Sequence, residues 1–78
     1  MASKSRVEIK RHLARAFLDF DEILYQLKCV FDLTNPHHPD LGDLVLEYSQ
    51  LVRLTQSGIL LLWQEIIGDI PEDITVYR

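Results

Sequence analysis

Cysteine is nearly absent from this chain, which limits how its fold can be stabilised. Cys29 is the only cysteine among 78 residues, so an intramolecular disulfide is impossible and a reducing compartment is expected. Glycine and proline are also scarce, at three residues each. The three glycines stand apart from one another, which excludes the glycine-rich loop that binds phosphate in nucleotide-binding proteins.

A long hydrophobic segment is missing as well. The apolar run at 58–63 is much shorter than the roughly 20 residues that a membrane-spanning helix needs. Residues 1–15 are charged throughout and lack the apolar core of a signal peptide. We therefore expect a soluble intracellular protein without membrane contact, located in the cytoplasm, with a nuclear location left open.

The charge balance is acidic, with a formal net charge of -4 and a pI of about 5.1. The chain as a whole therefore has no attraction for nucleic acids or anionic lipids. At this length we expect a single helical domain over 1–78, and such a small domain buries only about 60% of its unfolded surface. Because no disulfide is available, oligomerisation is the expected means of stabilisation.

The first half of the chain predicts one long helix over about 6–33, preceded by an N-terminal arm at 1–5. Ser5 and Glu8 match the capping box, in which each side chain accepts a hydrogen bond from the backbone N–H of the other residue. Large apolar residues then recur at coiled-coil-like intervals of three and four, which places them on one side of a helix. These seam residues are Leu13, Phe17, Phe20, Leu24, Leu27 and Phe31. The seam is widened on one flank by four residues at heptad spacing, Ile9, Ala16, Ile23 and Val30.

Two prolines predict where the first helix ends. Pro36 and Pro39 disfavour helical geometry in the residue that precedes each of them, so a prolyl turn is expected at 34–39. A connection this short makes the two flanking helices antiparallel neighbours.

A second helix is predicted over about 40–68, with His38 or Asp40 as its N-terminal cap and Gly68 as its C-terminal cap. Its apolar residues keep the spacing of three and four. They are Val45, Tyr48, Val52, Thr55, Ile59, Leu62 and Ile66. Gly58 is less favourable than alanine in a helix interior by about 1 kcal/mol. A break there would produce a three-helix bundle, which stays open as the alternative to a long helical hairpin.

The short C-terminal tail at 69–78 contains a segment of β-prone residues. Apolar and polar side chains alternate from Ile74 to Tyr77, which is typical of an extended strand. We expect this segment to be extended, either along the helices or against another chain.

Charges at the helix ends support the antiparallel hairpin. Basic residues crowd the start of the first helix and acidic residues crowd the end of the second, where each cluster is unfavourable against its own helix dipole. An antiparallel arrangement places the two clusters side by side, so each offsets the other. The clusters are Lys4, Arg6, Lys10, Arg11, His12 and Arg15 at one end, and Glu65, Asp69, Glu72 and Asp73 at the other.

Two packed helices cannot cover all of the apolar side chains in this sequence. Burying a large apolar side chain contributes roughly 1.5–3 kcal/mol, so we expect those outside the seams to contact a partner. The expected partner interface consists of Leu18, Tyr25, Leu54, Leu60, Leu61, Trp63 and Ile67. Trp63 and Tyr25 are the expected hot spots, because large aromatic residues dominate interface energetics. The expected fold class is all-α, a helical hairpin completed by dimerisation into a four-helix bundle.

Catalytic and metal-binding constellations are weakly represented. His37 and His38 lie near Asp40 and Asp43, but a zinc site needs three or four ligands at suitable spacing, and a polar turn accounts for these residues. Cys29 is far in sequence from every histidine that would activate it as a nucleophile. We expect no metal, no cofactor and no enzymatic activity.

The expected function is that of a protein–protein interaction or assembly module, a small helical adaptor or structural subunit. It would act by homodimerisation or by docking on a larger helical partner. The alternative is a nucleic-acid-associated regulatory protein that uses the basic start of the first helix. The residues for such a contact, or for contact with an acidic partner, are Lys4, Arg6, Lys10, Arg11 and Arg15.

Overall fold

Two long helices form an antiparallel hairpin. In the computed structural model, which describes the backbone of residues 2–77 and the side chains of residues 5–76, α1 spans Ala2–Thr34 and α2 spans Pro39–Ile66. A short 3-10 helix follows at Ile74–Tyr77. The predicted all-α helical hairpin is confirmed.

The hairpin is long and thin. It measures 55 × 19 × 18 Å, so it is about three times as long as it is wide. Its radius of gyration is 15.8 Å, against about 11.5 Å for a compact domain of this length. Each helix therefore packs on its neighbour along one stripe and leaves most of its circumference outside the intrachain contact.

α1 begins earlier than the sequence indicates. Its first residue is Ala2, so Ser5 lies inside the helix and the predicted capping box does not mark its start. No proline or glycine precedes Ser5, and the backbone therefore continues in helical geometry. Residues 2–5 belong to α1 rather than to a separate arm, and Met1 lies outside the described residues.

Backbone hydrogen bonds close the predicted prolyl turn between the helices. The N–H groups of His37 and His38 donate to the carbonyl oxygen of Thr34, at 3.1 and 2.8 Å. His38 occupies the N-cap position of α2 but makes no capping bond with its side chain. Pro39 is the first residue of α2, where its missing N–H would have no helical partner in any case.

α2 runs without interruption through Gly58 and ends at Ile66. Gly68 follows with a φ of 111°, a left-handed conformation that glycine adopts without steric cost. The N–H groups of Ile67 and Gly68 both donate to the carbonyl oxygen of Trp63, at 2.8 and 3.3 Å. The predicted role of Gly68 in terminating the helix is confirmed, although α2 ends two residues earlier than the sequence indicates.

α1 packs on α2 through the side that the sequence predicts. All six predicted seam residues, from Leu13 to Phe31, are half-buried. Ala14 lies beside this seam and is completely buried, because its small side chain allows α2 to approach closely. The predicted seam of α1 is therefore confirmed.

α2 presents a different side to α1 from the one that its spacing predicts. Trp63 and Gln56 are buried, with 1% and 3% of their surface exposed. Of the predicted seam, Val45, Val52 and Ile59 are half-buried, whereas Tyr48, Thr55, Leu62 and Ile66 are exposed. The buried line uses positions 49, 56 and 63 in place of 48, 55 and 62. Burying the indole of Trp63 removes more apolar surface from water than burying Leu62, which favours this rotation of the helix.

The C-terminal segment forms a 3-10 helix that contacts α1, so the expectation of an extended tail is wrong. The Asp73 carboxylate accepts hydrogen bonds from the hydroxyl of Thr75 at 2.6 Å and from its N–H at 3.0 Å. The pKa of Asp73 is lowered mainly by the hydrogen bond from the Thr75 hydroxyl, and less by the bond from the Thr75 N–H. This local capping holds the backbone in a turn, which outweighs the β propensity of so short a segment.

Candidate interaction surface

The contact between α1 and α2 divides the rest of the hairpin surface into two faces. In an antiparallel pair, residues displaced in the same rotational sense from the buried line of each helix lie on the same face. We call one of them the apolar face; it comprises Ile9, Ala16, Ile23 and Val30 of α1, and Leu41, Leu44, Tyr48, Leu51, Thr55, Gly58, Leu62 and Ile66 of α2. We call the opposite one the groove face; it includes Tyr25, Lys28, Leu46 and Arg53.

The apolar face carries eight large hydrophobic side chains that are each between 44% and 57% exposed. They are Ile23, Val30, Leu41, Leu44, Tyr48, Leu51, Leu62 and Ile66. On α2 these residues recur at intervals of three and four from Leu41 to Leu51 and again from Leu62 to Ile66. Thr55 and Gly58 continue the same spacing between the two groups. Scattered hydrophobic residues are normal on a protein surface, whereas contiguous apolar patches are characteristic of interaction sites.

The exposed area of the whole chain is correspondingly large. The chain exposes 6029 Å², against about 4,900 Å² for a compact folded monomer of its mass. The excess is about 1,100 Å², more than the roughly 800 Å² that each partner buries in a standard interface. The hairpin therefore exposes enough additional surface for one complete interface.

The apolar face contains few polar groups. Covering the face would not leave these groups without a hydrogen-bond partner. The hydroxyl of Thr55 donates to the carbonyl oxygen of Leu51 at 2.9 Å, so covering it leaves no unsatisfied donor. His12, Asp19 and Gln26 are exposed and follow one another at heptad spacing along the outer rim of α1. The face thus has an apolar centre and a polar edge, the usual anatomy of a protein interface.

The groove face has a different character. A cleft of about 460 Å³ lies between the helices on this face. Its lining residues are Asp21, Leu24, Tyr25, Leu27, Lys28, Phe31, Leu46, Ser49 and Arg53. A hydrogen bond with the Cys29 thiol, together with the charge of that thiol when ionised, raises the pKa of Tyr25. The floor of the cleft is apolar, and the exposed side chains of Tyr25, Lys28 and Arg53 line its edge.

Three hydrogen bonds, donated by two side chains, fix the register of the helices. The side-chain amide of Gln56 donates to the carbonyl oxygen of Phe17 at 3.0 Å and to the carboxylate of Asp21 at 2.7 Å. The guanidinium of Arg6 donates to the carbonyl oxygen of Ile67 at 2.7 Å. Eleven residues separate Arg6 from Phe17 and eleven separate Gln56 from Ile67, so both contacts report the same alignment of α1 with α2.

The residues of the predicted partner interface differ in exposure. Tyr25, Leu54 and Leu61 are exposed, whereas Leu18, Leu60 and Ile67 are half-buried. Leu54 and Leu61 lie on the outer side of α2, away from α1, by their helical position. Trp63 is enclosed between the two helices, which contradicts the prediction that it faces a partner.

The basic start of α1 lies beside the end of α2, as the antiparallel arrangement predicts. Arg6 reaches one of the last carbonyl groups of α2, which has no partner within the helix. Its positive charge also suits the negative end of the helix dipole. The rest of the cluster differs in exposure: Arg11 and Arg15 are exposed, Lys10 is half-buried, and the side chain of Lys4 lies outside the described residues.

No protein-family model, curated protein or solved structure matches this chain. Within the described part of the chain, neither helix contains a stretch that is both long enough and apolar enough to cross a membrane. Residues 2–77 likewise contain no group of three histidine, cysteine, aspartate or glutamate side chains placed to bind a metal ion.

Proposed function

We propose that this chain is a protein–protein interaction and assembly module that acts through its apolar face. The observation that carries the proposal is the set of eight large hydrophobic side chains exposed together on that face. Each square ångström of apolar surface left in water forgoes about 25 cal/mol, and domains of this size have only a few kcal/mol of net stability. Covering the face with another protein removes this disadvantage.

The half-buried residues between the two helices support the same proposal. Val45, Val52 and Ile59 border both the intrachain contact and the apolar face. A partner seated on that face would complete their burial and convert two separate stripes into one continuous core. Tyr48, at 56% exposed, is the aromatic side chain best placed to act as a hot spot, because its ring adds apolar area and its hydroxyl can bond at the rim.

The proposed activity is structural and involves no catalysis. A helical hairpin with one apolar face associates by laying that face against other helices, either those of a second copy, which completes a four-helix bundle, or those of a larger helical protein. The chain would then serve as an adaptor or as a small subunit of an assembly.

Photo-cross-linking tests the proposal directly. We expect p-benzoylphenylalanine in place of Leu51, on the apolar face, to give a discrete cross-linked product in purified protein or in cells that produce the chain. The matched control carries the same group in place of Gln50, which is exposed on the groove side of the same helix. If Leu51 gives no more product than Gln50 in both settings, the proposal is refuted.

The alternative, a nucleic-acid-associated regulator, rests on Arg11 and Arg15, which are exposed one helical turn apart. Binding through these residues would weaken steeply as salt is added. The double variant Arg11→Glu with Arg15→Glu should then lose retention on a nucleic-acid column, and Lys28→Glu with Arg53→Glu, an equal charge change on the groove face, should not. Equal retention of both variants would exclude this alternative.

A further inference from the structure

We propose that the partner of the apolar face is a second copy of this chain, packed about a two-fold axis so that the two interhelical turns lie at opposite ends of the bundle. In this arrangement α1 lies antiparallel on α1 of the second copy, and α2 lies antiparallel on α2. The inference rests on the proposed function, because it names the occupant of the same face. It depends on the order of large and small residues along each helix.

On α1, the apolar face is built from four residues seven apart, and the two in the middle differ greatly in size. Ala16 and Ile23 lie on either side of a midpoint between Asp19 and Phe20. An antiparallel second copy centred there places Ile23 of one chain over Ala16 of the other, in both directions at once. The outer pair places Ile9 of one chain opposite Val30 of the other.

On α2, the same alternation appears around Arg53. The residues before this midpoint are bulky. The residues at the same distance after it, to within one residue, include the two smallest of the stripe, Thr55 and Gly58. The antiparallel pairs are Leu41 with Ile66, Leu44 with Leu62, Tyr48 with Gly58, and Leu51 with Thr55. Tyr48 and Leu51 of one copy thus lie over Gly58 and Thr55 of the other, where the space for them exists. A surface that is complementary to itself in this way is what a two-fold interface requires.

The midpoints of the two helices coincide in space, although nothing in their spacing along the chain requires it. The α1 midpoint lies two to three residues after Phe17, and the α2 midpoint lies three residues before Gln56. Gln56 is hydrogen-bonded to Phe17, and the helices run antiparallel, so both midpoints lie at the same height to within about one helical turn, or ~5.4 Å. One two-fold axis therefore serves both helices.

The exposed area fits a homodimer, and the packing favours this arrangement over the other two-fold arrangement. The excess exposed surface of about 1,100 Å² per chain would give a total interface of roughly 2,000 Å², the size class of stable homodimers. A two-fold axis along the helices would instead set Ile23 against Leu51 and Ala16 against Gly58. Bulky residues would then meet at one level and leave a void at the next, which close-packed interiors avoid.

Disulfide trapping tests the arrangement. In a Cys29→Ser background, the double variant Ala16→Cys with Ile23→Cys should form a covalent dimer in nearly full yield under mild oxidation, because each new cysteine faces its counterpart in the second copy. Each single variant is the matched control. It should remain mostly uncross-linked. The same residue in the two copies is separated by about 10 Å along the helix axis, which is beyond the reach of a disulfide.

A second pair keeps the test independent of the first. Tyr48→Cys with Gly58→Cys, on α2, should also give a covalent dimer, and neither single variant should. Light scattering on the unmodified chain at tens of micromolar should give twice the chain mass. A dimeric mass with no trapping by either pair overturns this arrangement and leaves the proposed function standing. A monomeric mass overturns the second copy as the occupant, and the proposed function is then decided by the photo-cross-link at Leu51.

Discussion

At the scale of single residues, Gln56 is the polar side chain on which the hairpin depends most. It is almost completely buried, yet its amide group donates to α1 twice. A buried amide without partners would be costly, at about 1–3 kcal/mol. The same bonds that satisfy Gln56 therefore penalise any other register of the two helices, which makes this residue a determinant of alignment.

The bond between Gln56 and Asp21 should be measurable by a double-mutant cycle. We expect a coupling free energy of about 1 kcal/mol between Gln56→Ala and Asp21→Ala, from urea unfolding followed by circular dichroism at one protein concentration. Asp19→Ala, which removes an exposed carboxylate two residues earlier, should show no coupling with Gln56→Ala. Equal coupling for Asp19 and Asp21 would mean that a general charge effect, and not this bond, links the helices.

Two glycines of α2 form a matched pair with opposite expected outcomes. A methyl group added at Gly58 meets no other atom of the described chain within 4 Å, so Gly58→Ala should raise the free energy of unfolding by up to about 1 kcal/mol through helix propensity. At Gly42 the methyl group would overlap the Asn35 side chain, with its Cβ and Cγ at 3.0 Å. We expect Gly42→Ala to gain nothing or to lose about 1–2 kcal/mol through overpacking. Urea unfolding of dilute protein, in which the apolar face is uncovered, gives both values.

At the scale of secondary-structure elements, the rotation of α2 is the feature to test. Trp63 and Leu62 are adjacent, but the first is buried against α1 and the second is 48% exposed. In dilute protein we expect Trp63→Ala to lower the free energy of unfolding by about 3–5 kcal/mol, enough to unfold much of the chain. Leu62→Ala should lower it by less than about 1 kcal/mol.

Trp63→Phe keeps the comparison measurable if Trp63→Ala does not fold, because it retains part of the buried area. If Leu62→Ala destabilises the dilute chain more than Trp63→Phe does, α2 packs in the rotation that its apolar spacing alone predicts. Circular dichroism at 222 nm during urea unfolding provides the measurement for all three variants.

The two helices differ in how far their packing could be read from the sequence. The seam of α1 is unambiguous because the side of the helix opposite to it carries mainly charged residues, such as Arg11, Arg15 and Glu22. The second half of α2 is apolar on nearly all sides, so two rotations satisfy the same spacing of three and four. Gln56 looks like a solvent-facing residue in the sequence, and only the proximity of Phe17 and Asp21 shows that its burial is favourable. The apolar spacing predicts the helix, but it does not determine which of its apolar lines faces α1.

The C-terminal tail shows a second limit of the sequence pattern. Alternation of apolar and polar residues from Ile74 to Tyr77 is too short to specify a strand without a neighbouring strand to pair with. The Asp73 side chain offers its own hydrogen bonds to Thr75 instead. The hydrogen bonds between Asp73 and Thr75 form within the segment itself, whereas a strand is stable only when another strand pairs with it.

At the scale of the whole molecule, the interface can be located by comparing two leucines three residues apart on α2. Leu51 is 57% exposed and Leu54 is 70% exposed, so glutamate at either position costs the isolated chain little. Only Leu51 lies on the apolar face, while Leu54 belongs to the interface that the sequence predicts. We expect Leu51→Glu to weaken association by on the order of 100-fold or more, because an unpaired charge would have to be buried.

Sedimentation equilibrium over a range of concentrations should then show a monomer for Leu51→Glu and the unmodified association for Leu54→Glu. The unmodified chain should also melt at a temperature that rises with its concentration, since unfolding is linked to dissociation. Loss of association in Leu54→Glu alone would instead place the interface on the outer side of α2, with Leu61. The apolar face would then be excluded as the association surface, so this one comparison decides between the two surfaces.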